Sequence, residues 1–72
     1  MAHQFPEIEA FLNEIREFRS DQLRMGNNIG LRTIETGSHV SGGLIGRLER
    51  GGETMPSTMA KVRKWMREYA DA

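Results

Sequence analysis

Apolar residues recur with the period of a helix near the start of the chain, and acidic residues fill the opposite face. The apolar positions are Ile8, Phe11, Leu12, Ile15 and Phe18. Pro6 suits the first helical turn, where a missing N–H has no cost. The pattern predicts a helix over about residues 6–18 whose acidic outer face points away from any phosphate. Residues 1–4 are expected to be a disordered start.

The middle of the chain predicts two shorter helices separated by a glycine-containing turn. Gly26-Asn27-Asn28 is a strong helix breaker, and a helix over about residues 28–36 follows it. Gly37-Ser38-His39-Val40 then reads as a turn. Ser41 is the natural N-cap of the next helix, over about residues 41–50, although its glycines also allow a start one or two residues later.

That third helix has two contrasting faces. Leu44, Ile45 and Leu48 form an apolar side, whereas Arg47 and Arg50 point outward. Gly51 and Gly52 follow, and glycine readily adopts the left-handed conformation that ends a helix. Gly46 is expected to allow close packing on the second helix in preference to a close approach to DNA. Gly42 and Gly43 form either a plain loop or such an approach.

A last helix is predicted over about residues 57–69, with Ser57 as its N-cap. Its apolar stripe is either core or the interface of a homodimer, and both alternatives remain open at this stage. The stripe and its aromatic neighbour comprise Met59, Val62, Trp65, Met66 and Tyr69. The chain as a whole predicts one all-α domain, a compact bundle of four to five helices containing a helix-turn-helix.

Composition narrows the class of protein. The 72 residues include no cysteine, so disulfides and thiolate metal sites are excluded, and a domain this small depends on helix packing or a partner subunit. The longest apolar runs are two or three residues, so a cytoplasmic protein without a membrane segment is expected.

Charge is unevenly distributed although the net charge is zero. Residues 1–23 carry five acidic and two basic side chains, whereas residues 24–67 carry eight basic and three acidic ones. An acidic N-terminal segment followed by a basic one suits a domain that presents one face to phosphate, but ordinary surface charge explains the same numbers.

A short helix that is apolar on one side and basic on the other fits the major groove of double-stranded DNA. Arg47 can contact guanine or hold phosphate, and free N–H groups at helix starts attract phosphate. The alternative is that Arg47 and Arg50 are simply solvated, or pair with Glu49 and Glu53 for little free energy. The candidate DNA-binding residues are Asn27, Asn28, Arg32, His39, Ser41, Gly42, Gly43, Arg47, Arg50, Ser57 and Thr58.

The run from Leu44 to Pro56, Leu-Ile-Gly-Arg-Leu-Glu-Arg-Gly-Gly-Glu-Thr-Met-Pro, resembles the recognition-helix end of Cro/C1-type (lambda-repressor-like) helix-turn-helix domains. Met25–Gly30 and the Val62-Arg63-Lys64-Trp65 element are similar to small phage- or prophage-type regulators. The resemblance implies a bacterial or phage-encoded transcriptional regulator, often a dimeric repressor on a palindromic operator. Thr33 and Glu35 stand near the positions where the family usually has glutamine and alanine, and the turn is longer.

Other classes of function find less support in the sequence. No carboxylate pair adjoins a nucleophile and no residues have metal-ligand spacing, so neither an enzyme, a metal nor a cofactor is expected. A small-molecule ligand is not evident either. The serious rival is a protein-interaction module, such as an antitoxin, an anti-repressor or a phage accessory factor, that uses the stripe from Met59 to Tyr69.

Overall fold

The computed structural model describes residues 5–72, which form four helices joined by short turns. The helices are α1 (Pro6–Arg24), α2 (Leu31–Gly37), α3 (Leu44–Glu49) and α4 (Pro56–Asp71). This part of the chain contains no strand, so the predicted all-α class is confirmed. The start that was expected to be disordered, residues 1–4, lies outside the described residues.

The first helix continues well past the predicted end at residue 18. Residues 19–24 contain neither glycine nor proline, and the side chain of Gln22 is buried and accepts a hydrogen bond from the Asn27 amide. The helix ends in a Schellman motif, in which Gly26 has φ 90° and donates to the Leu23 carbonyl at 3.0 Å. The Asn27 N–H completes the motif at 2.8 Å from the Gln22 carbonyl.

The predicted starts of the second and fourth helices are also wrong, and the third helix begins after Ser41, in line with the later start that its glycines allow. Asn28 lies before α2, whose N-cap is Gly30. Ser41 is not the N-cap of α3, because Gly43 takes that position with φ 83°, where a glycine has no steric penalty. Ser57 lies inside α4, since Pro56 already occupies the first helical turn and Met55 is the N-cap.

A single apolar core joins the four helices. Both α3 and α4 pack on α2, and α1 packs on α3. Twelve apolar side chains are buried in this core: Ile8, Phe11, Leu12, Ile15, Ile29, Ile34, Leu44, Ile45, Leu48, Met59, Val62 and Met66. Burial on this scale is the main stabilising contribution in a chain without disulfides.

An ion pair and an aromatic cluster connect α1 to α4. Arg63 donates two hydrogen bonds to the Glu14 carboxylate, at 2.9 and 2.7 Å, and this hydrogen bonding raises the pKa of Arg63. The Arg63 guanidinium also lies 5.3 Å from the centroid of the Phe11 ring, within the range of a cation–π contact. The paired charges thus cover the edge of the apolar core.

The aromatic cluster consists of Phe18, Trp65 and Tyr69. The Phe18 ring lies edge-on to the other two, with centroid distances of 5.9 Å to Trp65 and 5.8 Å to Tyr69. The indole edge of Trp65 lies directly against Gly37, and a Cβ added at Gly37 would clash with Trp65 Nε1. Contact between α2 and α4 therefore requires glycine at position 37.

Gly46 has no such contact, and the prediction that it permits close packing of α3 on α2 is wrong. A Cβ at Gly46 would have one neighbour, Arg50 Nη1 at 3.6 Å, which is an ordinary van der Waals distance. Two helical glycines of the same chain thus have opposite environments.

Substituting these two glycines by alanine should therefore change stability in opposite directions. We expect Gly37→Ala to lower the free energy of unfolding by about 1–3 kcal/mol, because the indole must move. Gly46→Ala should raise it by about 0.5–1 kcal/mol, because alanine favours the helix and finds room. Urea denaturation measures both changes, and a destabilised Gly46→Ala variant would contradict the open environment.

Candidate nucleic-acid interface

The third helix, α3, has a buried and an exposed face, as the sequence pattern predicts. Leu44, Ile45 and Leu48 are at most 2% exposed, whereas Arg47 and Arg50 are exposed. The helix has only six residues, which is too short to be stable on its own. Tertiary contacts at both of its ends must therefore fix its position.

The N-terminal contact comes from Glu35, a buried residue of α2. One oxygen of its carboxylate accepts the Gly43 N–H at 3.0 Å, and the other accepts the Ile45 N–H at 2.9 Å. A residue such as serine at the N-cap would ordinarily satisfy one N–H of the first turn, but glycine has no side chain to do so. Glu35 takes over this role from the neighbouring helix and thereby fixes the orientation of α3 relative to α2.

The C-terminal end of α3 is a Schellman motif, which confirms the predicted glycine stop. Gly51 has φ 97° and donates to the Leu48 carbonyl at 3.0 Å, and Gly52 donates to the Arg47 carbonyl at 3.0 Å. A Cβ at Gly52 would lie 2.9 Å from that carbonyl oxygen, so the second glycine is needed for close approach.

Helix α2 ends in the same motif but with histidine at the left-handed position. His39 has φ 60°, and its N–H donates to the Thr36 carbonyl at 3.2 Å. The Val40 N–H completes the motif at 3.1 Å from the Glu35 carbonyl. A left-handed conformation costs a non-glycine residue about 1–2 kcal/mol. Conformations of this kind cluster at functional sites, and His39 is exposed.

Four of the eleven candidate residues line one open depression of about 310 Å³ beside α3. They are His39, Ser41, Arg47 and Thr58, and Lys61 of α4 lines the same depression. We call this depression the α3 groove. Hydroxyl, imidazole, guanidinium and ammonium groups supply it with the hydrogen-bond donors that a phosphodiester or a base edge accepts.

The other candidates lie around this groove or apart from it. Gly42 and Gly43 form the exposed turn before α3, and no atom would lie within 4 Å of a Cβ added at either. Asn27 and Asn28 belong to the connection after α1 and do not line the groove, and neither do the exposed Arg50 and Ser57. Arg32 borders a different depression, next to Trp65.

The predicted dimer-interface residues are mostly core. Met59, Val62 and Met66 are 4%, 0% and 7% exposed, so the assignment of these three to a dimer interface is corrected. The structure selects the other alternative for them, because the stripe covers the apolar sides of the shorter helices. Trp65 and Tyr69 retain accessible surface while they pack on Phe18.

Basic side chains of α1 have polar partners within the chain, whereas most of those on the later helices have none among residues 5–72. All three arginines of α1 make polar contacts within the chain: Arg16 with Asn13 and Glu49, Arg19 with the Ile29 carbonyl, and Arg24 with Asp21. Among the basic side chains of residues 31–72, only Arg63 makes such a contact with the described residues. Six basic side chains have no such partner there: Arg32, Arg47, Arg50, Lys61, Lys64 and Arg67.

Sequence reasoning missed Lys61, Lys64 and the role of Glu35. The signal for the lysines was available, since Thr58, Lys61 and Trp65 share one face of α4 by their spacing of three and four residues. No local pattern identifies Glu35, because its partners are eight and ten residues away across a turn.

Within residues 5–72, no three histidine or acidic side chains are grouped so that they could hold a metal ion. None of the described helices has the length and apolar character needed to cross a membrane. No family model matches the chain, and no curated protein or solved structure matches it significantly.

Removing the Glu35 carboxylate should destabilise the fold strongly. We expect Glu35→Ala to lower the free energy of unfolding by about 2–4 kcal/mol, because two N–H groups lose their acceptor. Glu53→Ala is the matched control, since Glu53 is exposed, and it should stay within about 0.5 kcal/mol of wild type. Equal stability of the two variants in urea denaturation would refute the capping role.

Replacing His39 by glycine should have the opposite effect on stability. His39→Gly relieves the left-handed conformation, so we expect a gain of about 1 kcal/mol in the free energy of unfolding. The gain should be visible as a higher midpoint of thermal unfolding. His39→Ala keeps the unfavourable conformation and serves as the control, so a similar gain in both variants would rule out backbone strain as the cause.

Proposed function

We propose that the protein is a transcriptional regulator, most simply a repressor, that binds double-stranded DNA sequence-specifically. In this proposal α2, the following turn and α3 act as a helix-turn-helix, and α3 enters the major groove. This agrees with the Cro/C1-type resemblance of residues 44–56. The support from the structure is the exposed basic face of α3 together with the buried carboxylate that fixes its orientation.

The observation that carries the proposal is the segregation of unpaired cations. Basic side chains on α1 are satisfied within the chain, whereas six beyond it are left without an internal partner among residues 5–72. Cations without intramolecular partners are available to phosphates, which supply most of the non-specific affinity for DNA. The neutral net charge is therefore no obstacle, because acidic residues concentrate on α1.

Arg47 is the side chain best placed to read sequence. It is exposed, it lines the α3 groove, and its guanidinium can donate two hydrogen bonds to the O6 and N7 atoms of guanine. Gly42 and Gly43 leave the neighbouring surface free of side chains, which allows the backbone to approach the DNA. The shorter side chains of Ser41, His39 and Thr58 supply further hydrogen-bond donors in the same groove.

The rival function, a protein-interaction module, depends on the apolar stripe of α4. Its three aliphatic members contribute to the protomer's own core, so the stripe offers little surface to a partner protein. The six basic side chains that have no partner among residues 5–72 are also left without a role if the protein is an interaction module. DNA binding therefore accounts for more of the described residues.

A homodimer remains part of the proposal, because one six-residue helix reads few base pairs and regulators of this size commonly pair on two half-sites. Its interface cannot be the buried stripe. Trp65 and Tyr69 are the two members of the predicted interface that have surface left to contribute.

The test is a fluorescence-anisotropy measurement on a duplex selected from random DNA. We expect Arg47→Ala to weaken binding by about 1–3 kcal/mol and to relax the base preference at one position. Wild-type affinity should fall steeply with salt, because bound phosphates release counterions. Arg24→Ala is the matched control, since Arg24 is exposed, lies on α1 and pairs with Asp21.

Two results would contradict the proposal. One is a selection that enriches no sequence and yields no salt-dependent binding. The other is an Arg47→Ala variant that binds the selected duplex as tightly as the Arg24→Ala control, since the exposed face of α3 would then not be in contact.

A further inference from the structure

A second cavity of about 320 Å³ lies next to the α3 groove, between the end of α2 and the outer side of α4. His39 and Lys61 line both depressions, so the two are adjacent. We call this cavity the Trp65 pocket. Its lining includes the side chains of Ser38, His39, Lys61, Lys64, Trp65 and Glu68.

The pocket carries uncompensated positive charge. Lys61 and Lys64 are exposed and form no hydrogen bond or ion pair with residues 5–72. Glu68 is the one acidic residue of the lining, and no ion pair joins it to either lysine. Two ammonium groups on successive turns of one helix, facing one cavity, favour an anion with several oxygen atoms.

Ser38 adds a hydroxyl that the fold leaves unused. The residue is 5% exposed, and its Oγ has no hydrogen-bond partner among the described residues. A buried hydroxyl without a partner costs free energy, so its presence calls for an acceptor. Ser38 lines the cavity, so a ligand bound there can supply the missing acceptor.

Trp65 gives the pocket a rigid wall. Its ring is fixed by contacts with Phe18 and Tyr69, whose centroids lie 5.9 and 5.2 Å away, and by the close approach of Gly37. A fixed indole beside two cations provides an apolar surface for whatever carries the anion. A volume of about 320 Å³ is at the lower end of the range for small-ligand sites.

We propose that the Trp65 pocket binds a phosphate group, with Lys61, Lys64 and the Ser38 hydroxyl as its donors. The phosphate belongs either to the backbone of bound DNA or to a small phosphate ester, and the chemistry of recognition is the same for both. This site goes beyond the proposed function, because it requires neither α3 nor sequence-specific binding. Its position beside the α3 groove would couple the two through His39 and Lys61.

The chain contains one tryptophan, so intrinsic fluorescence reports directly on this pocket. The full chain is titrated with inorganic phosphate, and separately with duplex DNA, against chloride at matched ionic strength. We expect a saturable change in Trp65 emission with at least one probe. Lys64→Gln should weaken that binding about tenfold, the loss expected for one charge-assisted contact.

Arg24→Gln is the matched control, because Arg24 is an exposed cation that pairs with Asp21 on α1 and does not line the pocket. It should stay within about twofold of wild type, a difference typical of surface charge. Circular dichroism of both variants verifies that α4 is intact.

The outcomes separate this site from the DNA proposal. A response to phosphate assigns a free phosphate ester, and a response to DNA alone assigns the backbone; either supports the pocket if Lys64→Gln reduces it selectively. No saturable response to either probe, or an equal loss in Arg24→Gln, overturns the pocket. Binding of labelled duplex, followed by anisotropy, stands or fails independently of these results.

Discussion

The structure depends on one buried carboxylate. Glu35 joins the end of α2 to the start of α3 by two hydrogen bonds, to the N–H groups of Gly43 and Ile45. A six-residue helix with a glycine at its N-cap has little stability of its own, so this contact and the burial of Leu44, Ile45 and Leu48 determine where it lies. Because the inner face is fixed in this way, the outer face presents Arg47 and Arg50 in a defined direction.

The basic side chains of α1 differ from those of the later helices in whether they are paired. The arginines of α1 are satisfied by neighbouring acids, an amide and a carbonyl, so that this helix has little positive charge to offer a ligand. Apart from Arg63, which pairs with Glu14, the cations after α1 are left unpaired among the described residues. Two adjacent depressions collect several of them around His39 and Lys61. A chain of zero net charge thus acquires unpaired positive charge outside α1 through pairing rather than through composition.

The sequence predicts what depends on short-range pattern and misses what depends on contacts across the fold. The helical class, the inward face of α3 and its glycine stop all follow from residue spacing and backbone preference. Ser41 fails as an N-cap because Glu35 supplies the acceptor from another helix. The apolar stripe of α4, from Met59 to Tyr69, is equally compatible with a core and with an interface, since periodicity identifies an apolar face but not what covers it. The α3 groove brings together residues as far apart in sequence as His39 and Lys61, and spacing along one helix cannot reveal that proximity.

Amide hydrogen exchange in the native chain, followed by NMR, tests the role of Glu35 most directly. The account predicts that the Gly43 and Ile45 N–H groups are protected nearly as well as core amides of α4, because opening them requires the carboxylate to leave its buried position. The N–H of Gly42, in the exposed turn, should exchange far faster. Exchange of Gly43 at the rate of Gly42 would mean that α3 is not held by this carboxylate, and the fixed basic face would lose its physical basis.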